Sequence, residues 1–367
     1  MTDPRIDNLA RIMVTYSLKV KPGERVAVMG STLAAPLMLA CQRELLRAGA
    51  FPDLIPSLPA SQHLLLTESS AEQLDDVSPL QRTIIENYDA MIRIASLANT
   101  RHLSGVDPVR QRQRMKALSP LSKIRFSRGA RGDLRWVITL FPTSAYAQDA
   151  EMSLEAFEDY VYHATFADSD DPIAAWQSIH DEQQRYVDWL KSKTHVHVKG
   201  PNADLKLSIA GRTFKNSDGD RNMPSGEIFT GPVEDSVEGW ISFQYPAIYL
   251  GHEVEDIRLE FRGGKLVKAT AGKNQDFLNS IIHTDAGARY LGEFAMGTNR
   301  NIDRFIKNIL FDEKIGGTIH VALGRGYPET GSKNESAIHW DMICDMHNGG
   351  EIYVDDELIY RSGSFLI

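Results

Sequence analysis

Apolar residues in the first half of the chain recur with two alternating periods. Ile6, Leu9, Ile12, Met13 and Leu18 share one face at helical spacing, and Pro22-Gly23 then resets the chain before the short apolar run from Arg25 to Met29. That run has the length and composition of a buried strand. Leu37 to Leu46 predicts a second helix, stopped at Gly49, and Phe51 to Ile55 and Ala90 to Ile94 predict further strands. Strands separated by helices of this length build parallel sheets with helical crossovers, so the pattern predicts a doubly wound parallel α/β domain. The loop Gly30-Ser31-Thr32 lacks the glycine spacing of a dinucleotide site.

From Met152 to Leu190 the pattern is helical throughout. Its aromatic residues Phe157, Tyr160, Tyr162, Trp176, Tyr186 and Trp189 are assigned to the core. After Lys193 the period changes to two. Thr194 to Val198 and Asp204 to Ser208 alternate on either side of Gly200-Pro201-Asn202, which predicts a hairpin and a domain boundary. Residues 1–193 are therefore read as an N-terminal α/β domain with a helical linker region. Residues 194–367 are read as a strand-rich α+β C-terminal catalytic domain. His195 and His197 share a strand face, but no carboxylate or third histidine lies near them in sequence, and they are read as partly exposed strand residues.

Composition narrows the classes of function. With 367 residues, 42% hydrophobic and 24% charged, the chain is long enough and apolar enough for two folded domains. A net charge of −9 excludes the clustered basic footprint of a nucleic-acid binder. Arg5, Asp7 and Arg11 interrupt any apolar signal-peptide region, and the stretch Ala34 to Cys41 falls far short of the roughly 20 residues of a membrane span. A cytoplasmic location and no membrane partner are expected. Cys41 and Cys344 are the only cysteines and are expected to stay reduced, so metal ligands must be sought among histidines and carboxylates.

Such ligands sit on alternating strands. In Ala337 to Ile343, Ile338, Trp340 and Met342 point to one face while His339 and Asp341 point together to the other. In Gly317 to Leu323, His320 faces away from Ile319, Val321 and Leu323, between the small residues Thr318 and Ala322. Tyr327 follows in a glycine-rich loop, where its phenol can donate a hydrogen bond. Glu227 and Glu293 occupy apolar or glycine-rich settings, where a carboxylate needs a partner; Arg221 and Arg289 are the rival partners to a cation. Two glutamates, two histidines and an aspartate form an oxygen and nitrogen donor set for a divalent ion.

The segments Asn222 to Thr230, Ala288 to Glu293, Asn308 to Asp312 leading to His320, Tyr327, and His339-x-Asp341 together resemble the thermophilic metallo-aminopeptidase family of the aminopeptidase T and aminopeptidase S type. The resemblance covers nearly the whole chain. It implies an α/β domain followed by a catalytic domain, a homodimer, and removal of N-terminal residues from a peptide substrate. It also implies two divalent metal ions (Zn, Co, Mn or Mg) held by Glu227, Glu293, His320, His339 and Asp341, with Tyr327 stabilising the transition state. Glu293 is assigned the further role of general base. The same fold is also similar to that of ring-cleaving dihydroxypyridine dioxygenases, which use one non-haem iron on two histidines and an aspartate. Retention of Glu227 and Glu293 favours the dinuclear hydrolase.

Overall fold

The computed structural model describes residues 3–367, and its contacts divide the chain into two units. The first comprises the chain up to Trp176 together with Gly219–Pro224; the second comprises Gln177–Asp218 and Ser225–Ile367. The division falls inside the helix Pro172–Leu190, and a short return segment completes the first unit.

The first unit is built on a five-stranded parallel sheet in the order Phe51–Ser57, Arg25–Ser31, Ala90–Ala95, Arg135–Leu140, Asn222–Met223. Reversal of strand order next to the first strand is the mark of a doubly wound sheet. The predicted amphipathic start forms as the helix Pro4–Arg11 running on into Ile12–Ser17, with Leu9, Ile12, Met13 and Leu18 wholly buried. The second helix spans Ala35–Arg47, and Gly49 beyond it adopts φ +75°, a conformation in which glycine avoids the Cβ clash. Among the described residues no helix is long and apolar enough to cross a membrane.

The second unit holds two large antiparallel sheets around one apolar core, and a two-stranded ribbon of Ala247–Tyr249 with His252–Val254. The larger has eight strands and includes the predicted hairpin His195–Gly200 and Ala203–Ser208. The smaller runs in the order His339–Asp345, Thr318–Gly324, Leu291–Gly297, Glu227–Thr230, Lys215–Ser217. Strand alternation divides this smaller sheet between two tasks. Phe294, Met296, Ile319, Val321, Leu323, Trp340 and Met342 enter the core shared with Val196, Val198, Leu205 and Ile241 of the larger sheet. Burying a side chain of this kind stabilises the fold by ~1.5–3 kcal/mol. The opposite face of the same strands is left for polar residues.

Candidate metal centre

That opposite face gathers all five ligands expected from the sequence. Register sets them in rows across the strands: Glu293 lies opposite Ala322, which lies opposite Asp341, and His320 lies between Ala295 and Ile343. Glu227 is paired with Gly297, and His339 with Gly324. Alanine and glycine between the ligands keep the floor of the sheet low, so long polar side chains converge above it. At Gly324, φ is +97° and a Cβ would lie 2.3 Å from the Ile338 carbonyl oxygen, so only glycine admits the His339 strand at this spacing. A bulge between Leu291 and Glu293 shifts the register next to this ligand, the usual device for re-aiming a strand side chain.

The side chains meet at short range. His320 Nε2 lies 3.5 Å from Glu227 Oε2 and 3.6 Å from Glu293 Oε1; His339 Nε2 lies 3.3 Å from Glu293 Oε2 and 3.4 Å from Asp341 Oδ1. Glu227, Glu293 and His320 are almost fully buried. The other nitrogen of His339, Nδ1, is 2.7 Å from the Arg325 carbonyl oxygen. A carbonyl only accepts, so Nδ1 carries the proton and Nε2 is left to bind. Arg289 donates to the Leu266 carbonyl and Arg221 stacks on Trp136, so the partners of the two glutamates are the histidines and a lysine instead.

One member of the cluster escaped the sequence reading. Glu313, His320 and Asp341 bring oxygen and nitrogen donors as close together as do the triplets Glu227, Glu293, His320 and Glu293, His339, Asp341. Glu313 sits in the turn after the one-turn helix Ile309–Asp312, where no strand alternation announces it. Beside it Lys314 is fully buried, 3.4 Å from Glu227 Oε1 and ion-paired with Glu313. His195 and His197 lie elsewhere, bound to Asp355 and Asp204.

The electrostatics show a site that demands positive charge. Burial drives the Glu313 carboxyl up to about 7, assisted by Glu227 and Asp341 and opposed by Lys314. Burial disfavours a charged His320, yet Glu293 and Glu227 raise it to about 9. Burial also disfavours an ionised Asp341, but His339 and His320 hold it down to about 2. Although part of the Tyr327 surface is exposed, its hydroxyl is pushed well above the ordinary phenol value by desolvation within the site and by the surrounding carboxylates, so it remains a donor at neutral pH. Its ring stands edge-on to His339 at 5.3 Å and to Phe229 at 5.5 Å.

The residues fit a divalent ion. Glu227 Oε2, His320 Nδ1 and Asp341 Oδ1 are buried without a hydrogen-bond partner among the described residues, and such atoms are costly unless bound. The donors are oxygen and nitrogen only. Cys344 lies on the core face of its strand, and burial raises its thiol to about 12. Fold and donor set together point to a metalloenzyme, with the candidate centre on an antiparallel sheet.

Comparison with known proteins names the class more closely. The chain belongs to the thermophilic metalloprotease family M29, which matches residues 2–365. It is 26% identical to aminopeptidase 2 of Geobacillus stearothermophilus over 99% of this chain and 98% of the relative. It is 27% identical to aminopeptidase T of Thermus aquaticus over 70% of this chain and 71% of the relative. The fold matches that of AmpT from Thermus thermophilus with a TM-score of 0.86 at 24% identity, covering 99% of both chains. It also matches the 2,5-dihydroxypyridine dioxygenase of Pseudomonas putida, with a TM-score of 0.57 at 15% identity, covering 98% of this chain and 96% of that one.

Proposed function

We infer that this chain is a dinuclear aminopeptidase, releasing the N-terminal residue of a peptide. The observation that carries the reading is the place of Glu293, whose two oxygens face one histidine each, so that two adjacent donor triplets share its carboxylate. One ion would be held by Glu227, Glu293 and His320, the other by Glu293, His339 and Asp341. Glu313 stands within reach as a further ligand. Family membership makes the protein a metal-dependent peptidase, and the names of its relatives supply the exopeptidase direction.

A bound pair of divalent ions supplies Lewis acidity and makes water nucleophilic at neutral pH. The chain's own groups do the rest. Glu293, central to the cluster, would accept the proton of the attacking water through an oxygen left free of metal and pass it to the leaving amine. Tyr327 donates its hydroxyl hydrogen to the developing oxyanion, a contribution of ~3 kcal/mol for a donor of this kind. The carboxylates that remain anionic hold the free α-ammonium of the substrate, which an internal peptide lacks. The family resemblance extends the reading to a cytoplasmic homodimer.

The test joins metal analysis to activity. Purified protein reconstituted with Zn, Co, Mn or Mg should bind two ions per chain and release N-terminal residues from peptides, and chelator should abolish the release. A single iron with oxygen uptake on a dihydroxypyridine would replace this reading with that of the dioxygenase whose fold is shared.

A further inference from the structure

Among the described residues Lys314 is the one lysine or arginine ion-paired with the candidate ligands. Its side chain has no exposed surface, and its ammonium contacts Glu227 and Glu313, two carboxylates from separate segments. A lysine is held in such a place only when anions compensate the loss of water. Its field also reaches Asp341, which it helps keep ionised. The ammonium therefore competes with a metal for the lone pairs of Glu227 and Glu313. It contacts Glu227 of the Glu227, Glu293, His320 triplet directly, whereas it reaches Asp341 through its field alone.

Charge accounting gives this position a consequence. With neutral histidines and all four carboxylates ionised, the state a bound cation favours, Glu227, Glu293, Glu313 and Asp341 together with Lys314 carry a net charge of −3. A first divalent ion brings this to −1, whereas without the lysine it would leave −2. The second ion thus enters a weaker field, and the ion beside Lys314 feels the repulsion most because Coulomb energy falls with distance.

We propose that Lys314 is a positioning residue that ties Glu227 to Glu313 and weakens the ion on their flank, so the centre holds one divalent ion tightly and one exchangeably. The inference rests on the two-ion reading above. It makes occupancy of the Glu227 flank respond to the free metal concentration, while the His339 flank stays filled.

Calorimetric titration of the metal-stripped full chain with Mn²⁺, backed by metal analysis after gel filtration, tests it without reference to activity. The wild type should show two steps, the second more than tenfold weaker, with one ion lost on gel filtration. Lys314→Met should narrow the gap at least tenfold and retain both ions. Lys314→Arg, which keeps the charge, should leave the gap within threefold of wild type. A Lys314→Met protein with an unchanged or wider gap overturns the role of the lysine while leaving two ions in place. If that variant does not fold, the wild-type isotherm still decides, because two equal steps overturn the proposal. Uptake of a single ion by the wild type sinks the two-ion reading and the proposal with it.

Discussion

The Nε2 atom of His339 lies 3.3 Å from Oε2 of Glu293. The other oxygen of this carboxylate faces His320, and burial, which disfavours its charge, is outweighed by the two histidines, so Glu293 stays ionised below the ordinary glutamate value. A shared carboxylate of this kind cannot lose one charged oxygen without disturbing both halves of the centre. Glu293→Gln is therefore expected to lower kcat on a peptide or aminoacyl amide by about a hundredfold or more, with metal content falling below that of wild type. Wild-type turnover by the variant would remove Glu293 from both its roles.

Tyr327 calls for a different signature. The residue is 36% exposed and its ring rests edge-on against Phe229 and His339, so removing only the hydroxyl leaves the packing intact. Tyr327→Phe should reduce kcat by roughly a hundredfold to a thousandfold, the usual loss for an oxyanion donor. KM, melting temperature and metal stoichiometry should stay near wild type. A variant that loses metal but turns over normally when reloaded would show that the hydroxyl serves binding instead of the transition state.

His320 ties the stability of the metal-free protein to pH. Burial works against its charged form, but Glu293 and Glu227 prevail and raise it from 6.5 to about 9. A folded value above the unfolded one contributes stability that is complete below about pH 6.5 and is lost as pH rises through about 9. Chelator-treated protein should therefore melt at progressively lower temperature across that window. Metal-loaded protein should not follow, because a ligating histidine is already neutral, and metal affinity should rise as the competing proton leaves. Scanning calorimetry from pH 6 to 9.5 with and without Zn²⁺ checks both; parallel curves would contradict the assigned charge on His320.

How much of this was legible in the sequence differs by residue, for physical reasons. His339 and Asp341 could be read because a strand buried on one face must alternate, and Ile338, Trp340 and Met342 fix which side the ligands take. Glu227 and Glu293 sit in strands that are short or buried on both faces, where alternation says little, and there the resemblance carried the reading. Glu313 and Lys314 were not legible at all. The run Asp312-Glu313-Lys314 looks like a solvated turn, yet Asp312 accepts a hydrogen bond from the Ile306 amide and Lys314 closes on two carboxylates, so the charged turn is folded inward. Nor does a two-residue strand such as Asn222–Met223 have a period, which is why the return of Gly219–Pro224 to the first unit cannot be read from local pattern.

Gln183 shows how a helix holds the strand of the candidate ligand Glu227 in place. Fully buried on the helix Pro172–Leu190, it shares the two hydrogens of Nε2 among the Glu227 carbonyl at 3.1 Å, the Ser217 carbonyl at 3.2 Å and Asn216 Oδ1 at 2.5 Å. Its Oε1 accepts from the Thr298 hydroxyl at 2.7 Å. One amide thus satisfies groups on the Lys215–Ser217 and Glu227–Thr230 strands and on the loop after Gly297. Leucine has the same bulk but no polar atoms, and the groups left behind are shielded from water. Gln183→Leu should cost about 3 kcal/mol of stability by chemical denaturation, in the range for orphaned buried hydrogen-bonding groups. Because the lost anchor is at the Glu227 backbone, divalent affinity on that flank should weaken as well, while the His339 flank should load as in wild type. An equally stable variant with both ions bound as before would show that the strand is positioned by its ladder alone.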